Sequence, residues 1–449
     1  MKTPPLALVF ITTAFTSVCL LAASNAEDWP QWLGPNRDAT WNETGILKKF
    51  PDGGPKVLWR TPVSWGYSGP AVADGKVFLM DYVIESGEIE NNPGARDILQ
   101  GKERVRCFDT ATGKEIWSHS YDRPYAVSYG GGPRCTTTVA DGKVFALGAE
   151  GNLWCLDQSD GSVIWSHDLP KVYNTETAIW GYAAHPLVHN DLVYCIVGGD
   201  GSVAVAFDKE TGEERWRALS APEPGYCPPT LITHADVDQL IIWDPKNINS
   251  LNPETGETYW SLPLQPSYAM SIMAPRQEGN ILFASGIGRV GAAIQLDDTK
   301  PAASFLWRAN PKQGVFAANS TPYLLNGMIY GPDIDTSALI GAKLSDGTRL
   351  WETTVPVIAQ DLRSRVRHGT AMLTYHPETD QFFIFNEIGD LIIAKLTPDG
   401  YEEVDRFHAV DATNNAFDRP VVWTTPAYAE KSAFIRNDKE LIRVDLSAE

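Results

Sequence analysis

The chain has 449 residues, and its 56 Asp and Glu outnumber its 37 Lys and Arg, which gives a formal net charge of −19 at pH 7. This acidity excludes nucleic acid as the expected partner, because such binding depends on cations that neutralise phosphates. The length alone predicts roughly three domains. The repeats described below favour a single closed domain instead.

Residues 1–26 have the pattern of a secretory signal peptide. Lys2 supplies the positive start, an apolar stretch follows over residues 6–23, and Ser24-Asn25-Ala26 offers a small-residue cleavage site. We therefore predict a bacterial protein exported to the periplasm or secreted, with no membrane span after cleavage. An uncleaved membrane anchor is the alternative, because the apolar stretch approaches the length that crosses a bilayer.

One sequence motif then repeats along the chain: an acidic or amide residue, a turn that ends in Gly, and a Trp four residues after that Gly. Its clearest copies span residues 107–117, 155–165, 206–216 and 250–260, and their tryptophans lie 44 to 51 residues apart. A repeat period in this range, with turn residues rather than a helical pattern between the copies, is typical of a propeller or a similar array.

Weaker copies extend the series in both directions. They end at Trp59, Trp307 and Trp351, and a last turn at Asp399-Gly400 has Val404 in the Trp position. We predict an all-β fold, an eight-bladed β-propeller of four-stranded antiparallel blades. Residues 57–59 would complete the C-terminal blade beside the strand near 441–444 and so close the ring. The predicted domains are a signal peptide (1–26), an N-terminal extension (27–55) and the propeller (56–449).

The motif resembles the repeat of pyrroloquinoline-quinone (PQQ) propellers, Ala-x-Asp-x-x-Thr-Gly-x-x-x-Trp, with Cys107, Cys155, Ala206 and Ser250 at its small-residue position. The opening residues 28–38, Asp-Trp-Pro-Gln-Trp-Leu-Gly-Pro-Asn-Arg-Asp, are similar to those of exported PQQ-like propeller proteins of planctomycete-type bacteria. The resemblance implies that each repeat Trp packs on the backbone of the neighbouring blade. We therefore expect the tryptophans that end the four clearest copies to be buried in similar contacts.

Five cysteines follow the predicted signal peptide, and none has the spacing of a CxxC metal motif. Cys107 and Cys155 occupy the buried repeat position, which favours free thiols that act as small apolar residues. Disulfides are the alternative, since export would permit them.

A candidate binding site is predicted where the chain enters the innermost strand of each blade, because these segments converge on the mouth of the central channel. They are rich in aromatic and polar side chains, which suit a planar or sugar-like ligand. The alternative is that these side chains seal the channel, and that the histidines are structural. The candidate ligand-binding residues are Tyr67, Arg134, His185, Tyr226, Asn319, His368 and Trp423.

The longest interruption of the repeat lies between Tyr82 and Arg104. It joins the second strand of a blade to the third, so we expect residues 83–103 to rise over the same face. Long loops in compact folds are often functional. A solvated hairpin is the plainer interpretation.

Two classes of function follow from the resemblance. Quinoprotein alcohol dehydrogenases of this fold use PQQ, a calcium ion, a carboxylate base and often two adjacent cysteines. Here no cysteines are adjacent, and only Asn319 matches the set that would hold the metal. We therefore predict no catalytic residues, no metal and no cofactor, and a non-catalytic binding or scaffold module for an unknown protein or glycan. A PQQ-dependent oxidoreductase with calcium is the alternative.

Overall fold

The computed structural model describes residues 27–358 and 367–448. The predicted signal peptide, residues 1–26, lies outside them. The described chain forms eight four-stranded antiparallel sheets arranged as the blades of a propeller, which confirms the predicted fold class. We number blades 1–7 in chain order and call the sheet that joins the two ends of the chain blade 8.

The first half of the chain contributes one strand of blade 8 and then blades 1–4. Blade 8 takes β1 (Val57–Pro62), and blade 1 contains β2 (Ala71–Ala73), β3 (Lys76–Ser86), β4 (Asp97–Asp109) and β5 (Glu115–Asp122), with β6 (Tyr125–Val127) paired to β4. Blade 2 contains β7 (Thr138–Ala140), β8 (Lys143–Leu147), β9 (Asn152–Asp157) and β10 (Val163–Asp168), and helix α1 (Leu169–Tyr173) follows. Blade 3 contains β11 (Leu187–His189), β12 (Leu192–Ile196), β13 (Ala204–Asp208) and β14 (Glu214–Ala218). Blade 4 contains β15 (Thr230–His234), β16 (Val237–Trp243), β17 (Asn247–Leu251) and β18 (Thr258–Pro263).

The second half completes the ring. Blade 5, after a 3-10 turn at Ser267–Ala269, contains β19 (Arg276–Glu278), β20 (Ile281–Gly286), β21 (Val290–Leu296) and β22 (Ala303–Arg308). Blade 6 contains β23 (Tyr323–Leu325), β24 (Met328–Pro332), β25 (Leu339–Lys343) and β26 (Arg349–Thr353), followed by helix α2 (Val355–Ile358). Blade 7 contains β27 (Ala371–His376), β28 (Gln381–Asn386), β29 (Asp390–Thr397) and β30 (Gly400–His408). A separate hairpin of β31 (Asn414–Ala416) and β32 (Arg419–Val421) precedes the strands of blade 8, β33 (Ala427–Ala429), β34 (Ser432–Arg436) and β35 (Glu440–Asp445).

Blade 8 is built from both ends of the chain. Strand β1 is its outer strand and pairs antiparallel with β35, with Val57 opposite Val444 and Thr61 opposite Leu441. The predicted closure is therefore confirmed. Closure leaves no long unpaired edge between the first and last blades, where another strand could add.

The repeat tryptophans connect successive blades through hydrogen bonds and packing contacts. The indole Nε1 of Trp117 donates a hydrogen bond to the Gln158 carbonyl of blade 2 at 3.1 Å, and Trp216 donates to the Pro253 carbonyl of blade 4 at 2.8 Å. The indole of Trp216 also covers Gly256, where an added Cβ would lie 2.6 Å from Cε3 of the ring. The turn glycines Gly113, Gly161, Gly212 and Gly347 contact the tryptophan of the preceding blade in the same way.

Trp260 departs from the predicted pattern. It is as buried as the other three tryptophans of the clear copies, each about 8% exposed. However, its indole donates to Oε1 of Gln239 in its own blade, at 2.9 Å. The corresponding turn of blade 5, which begins at Asp297, reads Asp-Asp-Thr-Lys and offers no glycine against which an indole can pack. The prediction of similar inter-blade contacts is therefore wrong for this one residue.

We call the end of the central channel at which the chain enters the innermost strands the upper end, or mouth. The segment before β1 fills the opposite, lower part of the channel. It contacts the innermost strands of several blades through backbone and side-chain hydrogen bonds. These join Trp29 to Val72, Pro30 to Val139, Arg37 to Pro186, Thr40 to Tyr323, and Trp41 to Tyr375. Trp29 and Trp41 are almost completely buried. The channel is therefore closed from below by the protein's own chain.

The five cysteines within the described residues are all buried and unbridged, as expected. Burial raises the pKa of the Cys107 and Cys155 thiols to about 12. Over the described ranges, no helix has both the length and the apolar character needed to cross a membrane.

Candidate functional site

A cavity of about 920 Å³ opens at the upper end of the channel. Its volume lies within the roughly 300–1,000 Å³ typical of small-molecule pockets. All seven side chains predicted from the sequence line it: Tyr67, Arg134, His185, Tyr226, Asn319, His368 and Trp423. The structure thus brings the predicted residues together around open space. That they bind a ligand stays a prediction.

The floor of the cavity comes from the N-terminal segment. Trp32 stacks on the imidazole of His185 with ring centroids 4.5 Å apart and an angle of 13° between the planes. The Arg37 guanidinium lies 5.7 Å from the Trp32 ring and donates to the carbonyls of His185 and Pro186. Burial, helped by the Arg37 charge, holds the pKa of His185 well below its ordinary value. Its Nδ1 accepts from the Thr136 backbone N–H at 2.9 Å, so His185 is a neutral ring with its proton on Nε2.

Arg134 anchors one wall. Its guanidinium donates to the carbonyls of Ser128, Tyr129, Gly132 and Trp180, which ties together two segments of the cavity mouth. It also lies over the Tyr67 ring, 5.4 Å from the centroid, and the Tyr67 hydroxyl accepts from Asn414 Nδ2 at 3.0 Å. Within the portion of the chain that the structure describes, no carboxylate forms an ion pair with Arg134. Carbonyl dipoles, rather than a carboxylate of the described chain, therefore surround its charge.

Within the described residues, two tyrosine hydroxyls of the lining make no well-formed hydrogen bond, although that of Tyr226 faces the Trp180 backbone. They belong to Tyr129, which is 9% exposed, and Tyr226, which is 3% exposed. An unsatisfied buried hydroxyl costs about 1–3 kcal/mol, so native proteins rarely leave one without a reason. Burial raises the pKa of Tyr129 to about 12, so its hydroxyl stays protonated and can donate as well as accept.

Another wall is a flap formed by the hairpin of β31 and β32. Arg419 in β32 forms a bidentate pair with Glu387, which is completely buried and also accepts from Trp423 Nε1 and the Thr370 backbone N–H. At the tip of the flap, Phe417 stacks on His368 with ring centroids 4.2 Å apart. The Glu387 network thus fixes the flap against the cavity.

The predicted insert at residues 83–103 rises over the cavity, but most of it is strand rather than loop. Strand β3 continues to Ser86 and β4 begins at Asp97, so only the tip lacks strand structure. Pro93 and Gly94 at this tip line the cavity. Nearby, Asn91 Nδ2 donates to Asn414 Oδ1 at 2.7 Å, which joins the insert to the flap.

The lining offers a poor set of ligands for calcium. Among the described residues of the lining, Glu223 is the single carboxylate, and the Asn319 side chain donates to the Thr370 hydroxyl at 3.2 Å. Across residues 27–358 and 367–448, no three His, Cys, Asp or Glu side chains are grouped so that they could hold a metal ion. A calcium ion needs six to eight oxygen ligands, usually with several carboxylates. The residues present therefore do not fit the calcium–quinone pair, and we derive no chemistry through it.

The sequence predictions missed two parts of the lining. Trp32 is missed because the segment before the first blade carries no repeat that would place it in the channel. Phe417 was missed because it lies in a hairpin between blades, outside the repeat. The tryptophan-rich run at residues 28–38 was the available signal for the floor.

The fold and the lining together define a β-propeller of the PQQ-repeat class with a cavity at the mouth of its central channel. The family model described as "Outer membrane protein assembly factor BamB" matches residues 101–353 and 244–397, and the chain therefore belongs to this family. No curated protein sequence shows significant similarity to it.

Solved structures share the fold at low sequence identity. BamB from Moraxella catarrhalis is 14% identical with a TM-score of 0.58, and the alignment covers 88% of this chain and 98% of that protein. A europium-containing methanol dehydrogenase is 12% identical with a TM-score of 0.59, over 93% of this chain and 89% of that one. The quinohemoprotein alcohol dehydrogenase from Comamonas testosteroni is 12% identical with a TM-score of 0.59, over 94% and 81%. At these identities the likeness concerns the fold alone.

Proposed function

We propose that this protein is an exported, non-catalytic propeller that binds a glycan in its central cavity. The observation that carries the proposal is the buried hydroxyl of Tyr129, which has no hydrogen-bond partner among the described residues, in an aromatic lining that also contains the Tyr226 hydroxyl. A sugar ring presents apolar C–H faces and a rim of hydroxyls, so it can pack on aromatic faces while it satisfies such groups.

Two further observations support this role. The matching family model describes an assembly factor, which is a binding role rather than a catalytic one. Residues 1–26 carry the pattern of a secretory signal, which would deliver the protein to a compartment where glycans are abundant.

The binding experiment is calorimetric titration of the protein lacking residues 1–26 with a panel of short oligosaccharides. Tyr129→Phe and Tyr226→Phe each remove one hydroxyl and keep the ring, so we expect each to weaken binding by about 5- to 10-fold. Tyr173→Phe is the matched control, because its hydroxyl bonds to Glu214 on the outer surface. Binding that neither cavity variant changes would place the glycan elsewhere and contradict the proposal.

A quinoprotein dehydrogenase is the second candidate, because the structures of two alcohol-oxidising enzymes align with 93% and 94% of this chain. The test is to add PQQ and calcium to the same protein, desalt it, and record its absorbance. We expect no retained quinone, because the part of the lining that the structure describes holds one carboxylate. PQQ-dependent dye reduction with an alcohol, lost in Asn319→Ala, would overturn the non-catalytic proposal.

A further inference from the structure

We propose that the glycan is acidic and that the arginines of the cavity lining, Arg134 and Arg367, attract its carboxylate or sulfate group. This inference rests on the proposed function and adds the chemical class of the ligand.

The first observation is the distribution of charge. The protein carries a net charge of −19, yet the described residues that line its cavity include two arginines and one carboxylate, Glu223. Glu223 is exposed, so water and salt screen its charge. Arg134 has only backbone carbonyls as hydrogen-bond partners, and Arg37 beneath the floor donates to two carbonyls and to the Gln31 side chain. A concave, low-dielectric wall focuses such charge into the cavity.

Other acidic groups near the cavity do not cancel this charge. Glu387 is neutralised by its bidentate pair with Arg419, and Asp335 is paired with Arg289 at 2.7 Å. The Asp97 carboxylate accepts from two backbone N–H groups and does not line the cavity. Asp438, whose charge acts on Tyr67, faces Arg436 and accepts from the Thr413 hydroxyl and the Gly66 backbone N–H. With these acidic groups paired or hydrogen-bonded, the arginines of the lining favour an anion, against the sign of the protein as a whole.

The second observation is the backbone conformation of the cavity mouth. Tyr268, His368 and Phe417 line the cavity with φ angles of 58°, 59° and 51°. This left-handed region is unusual for bulky residues and costs on the order of 1–3 kcal/mol at each, and such strain is typical of ligand clamps. Tyr268 is 76% exposed and Phe417 is 38% exposed, so both rings remain available at the mouth. They offer faces on which sugar rings can stack while the acidic group reaches the arginines.

The test uses matched pairs of oligosaccharides that differ only in charge, titrated into the protein lacking residues 1–26. Uronic acid trisaccharides are compared with their methyl esters, and sulfated trisaccharides with their unsulfated forms. We expect at least one acidic member to bind about 10-fold more tightly than its neutral counterpart, and this difference to shrink as salt is raised. In Arg367→Gln the preference should fall several-fold, whereas Arg215→Gln, which removes an outer-surface ion pair with Asp208, should leave it unchanged.

The outcomes separate this inference from the proposed function. If the neutral members bind as tightly as the acidic ones, the inference is wrong and glycan binding stands. If no member of any pair binds, both fail. Arg134→Gln also removes hydrogen bonds that hold the mouth together, so the salt dependence of the unsubstituted protein provides the second measurement. An acidic preference that does not weaken with salt would overturn the inference.

Discussion

The contact between Trp216 and Gly256 allows the contribution of the inter-blade contacts to the free energy of unfolding to be measured. Trp216→Ala removes an indole that is 8% exposed, together with its 2.8 Å hydrogen bond to the Pro253 carbonyl. Loss of a buried tryptophan side chain lowers the free energy of unfolding by about 3–5 kcal/mol. Gly256→Ala lowers the free energy of unfolding for two reasons. The φ of 74° at this position is left-handed, which costs alanine about 1–2 kcal/mol. The new Cβ would also lie 2.6 Å from the Trp216 ring. That overlap adds about 1–3 kcal/mol.

The two substitutions should not be additive. Once the indole is absent, Gly256→Ala keeps only its conformational cost, so the double variant should be about 1–3 kcal/mol more stable than the sum of the single effects. Gly142→Ala is the matched control, because Gly142 has the same φ of 74° and nothing lies within 4 Å of its added Cβ. Urea unfolding followed by circular dichroism gives each free energy. Equal costs at Gly142 and Gly256, or additivity within about 0.5 kcal/mol, would refute this account of the blade contact.

Three further predictions concern protonation, thiols and the flap. Burial, followed by the nearby Arg419 and Arg367 charges, lowers the pKa of His368 to about 4. The unfolded chain therefore binds more protons between about pH 6.5 and pH 4, so the free energy of unfolding should fall as the pH is lowered through this window. His368→Gln should reduce that slope in pH-dependent urea titrations, and an unchanged slope would contradict the assignment. The buried thiols should not react with a thiol reagent at pH 8 until the protein unfolds, and rapid labelling of even one of the five would show that it is accessible. Glu387→Gln removes the charge that holds the flap, so limited proteolysis should cut residues 409–423 faster than in Asp335→Asn, which loses an exposed ion pair. Equal cleavage in the two variants would show that the Glu387 network does not hold the flap.

The sequence predicted the parts of the fold that depend on local chemistry. Turn glycines and repeat tryptophans recur at a fixed period, so the number of blades and the pairing of residues 57–59 with the last blade could be read directly. The exception at Trp260 could also have been read, because its contact requires a glycine in the next turn and the turn at Asp297 has none.

The candidate site was predictable only in part. Residues that lead into the inner strands must converge on the channel mouth in any propeller, so the predicted lining follows from topology. The floor at Trp32 and the flap around Phe417 depend on long-range packing, over segments that carry no repeat. Their positions are set by contacts such as that of Arg37 with Pro186, which lie 149 residues apart in the sequence.

The closed lower end of the channel has a consequence for what the protein can recognise. A channel open at both ends could bind the internal units of a polymer that passes through it. A channel closed by Trp32 at its lower end admits a polymer only by one of its ends. Any long molecule bound there would present its terminal units to the arginines and its following units to the rings at the mouth. The number of such ends, rather than the total mass of polymer, would then set how many copies of the protein a surface can hold.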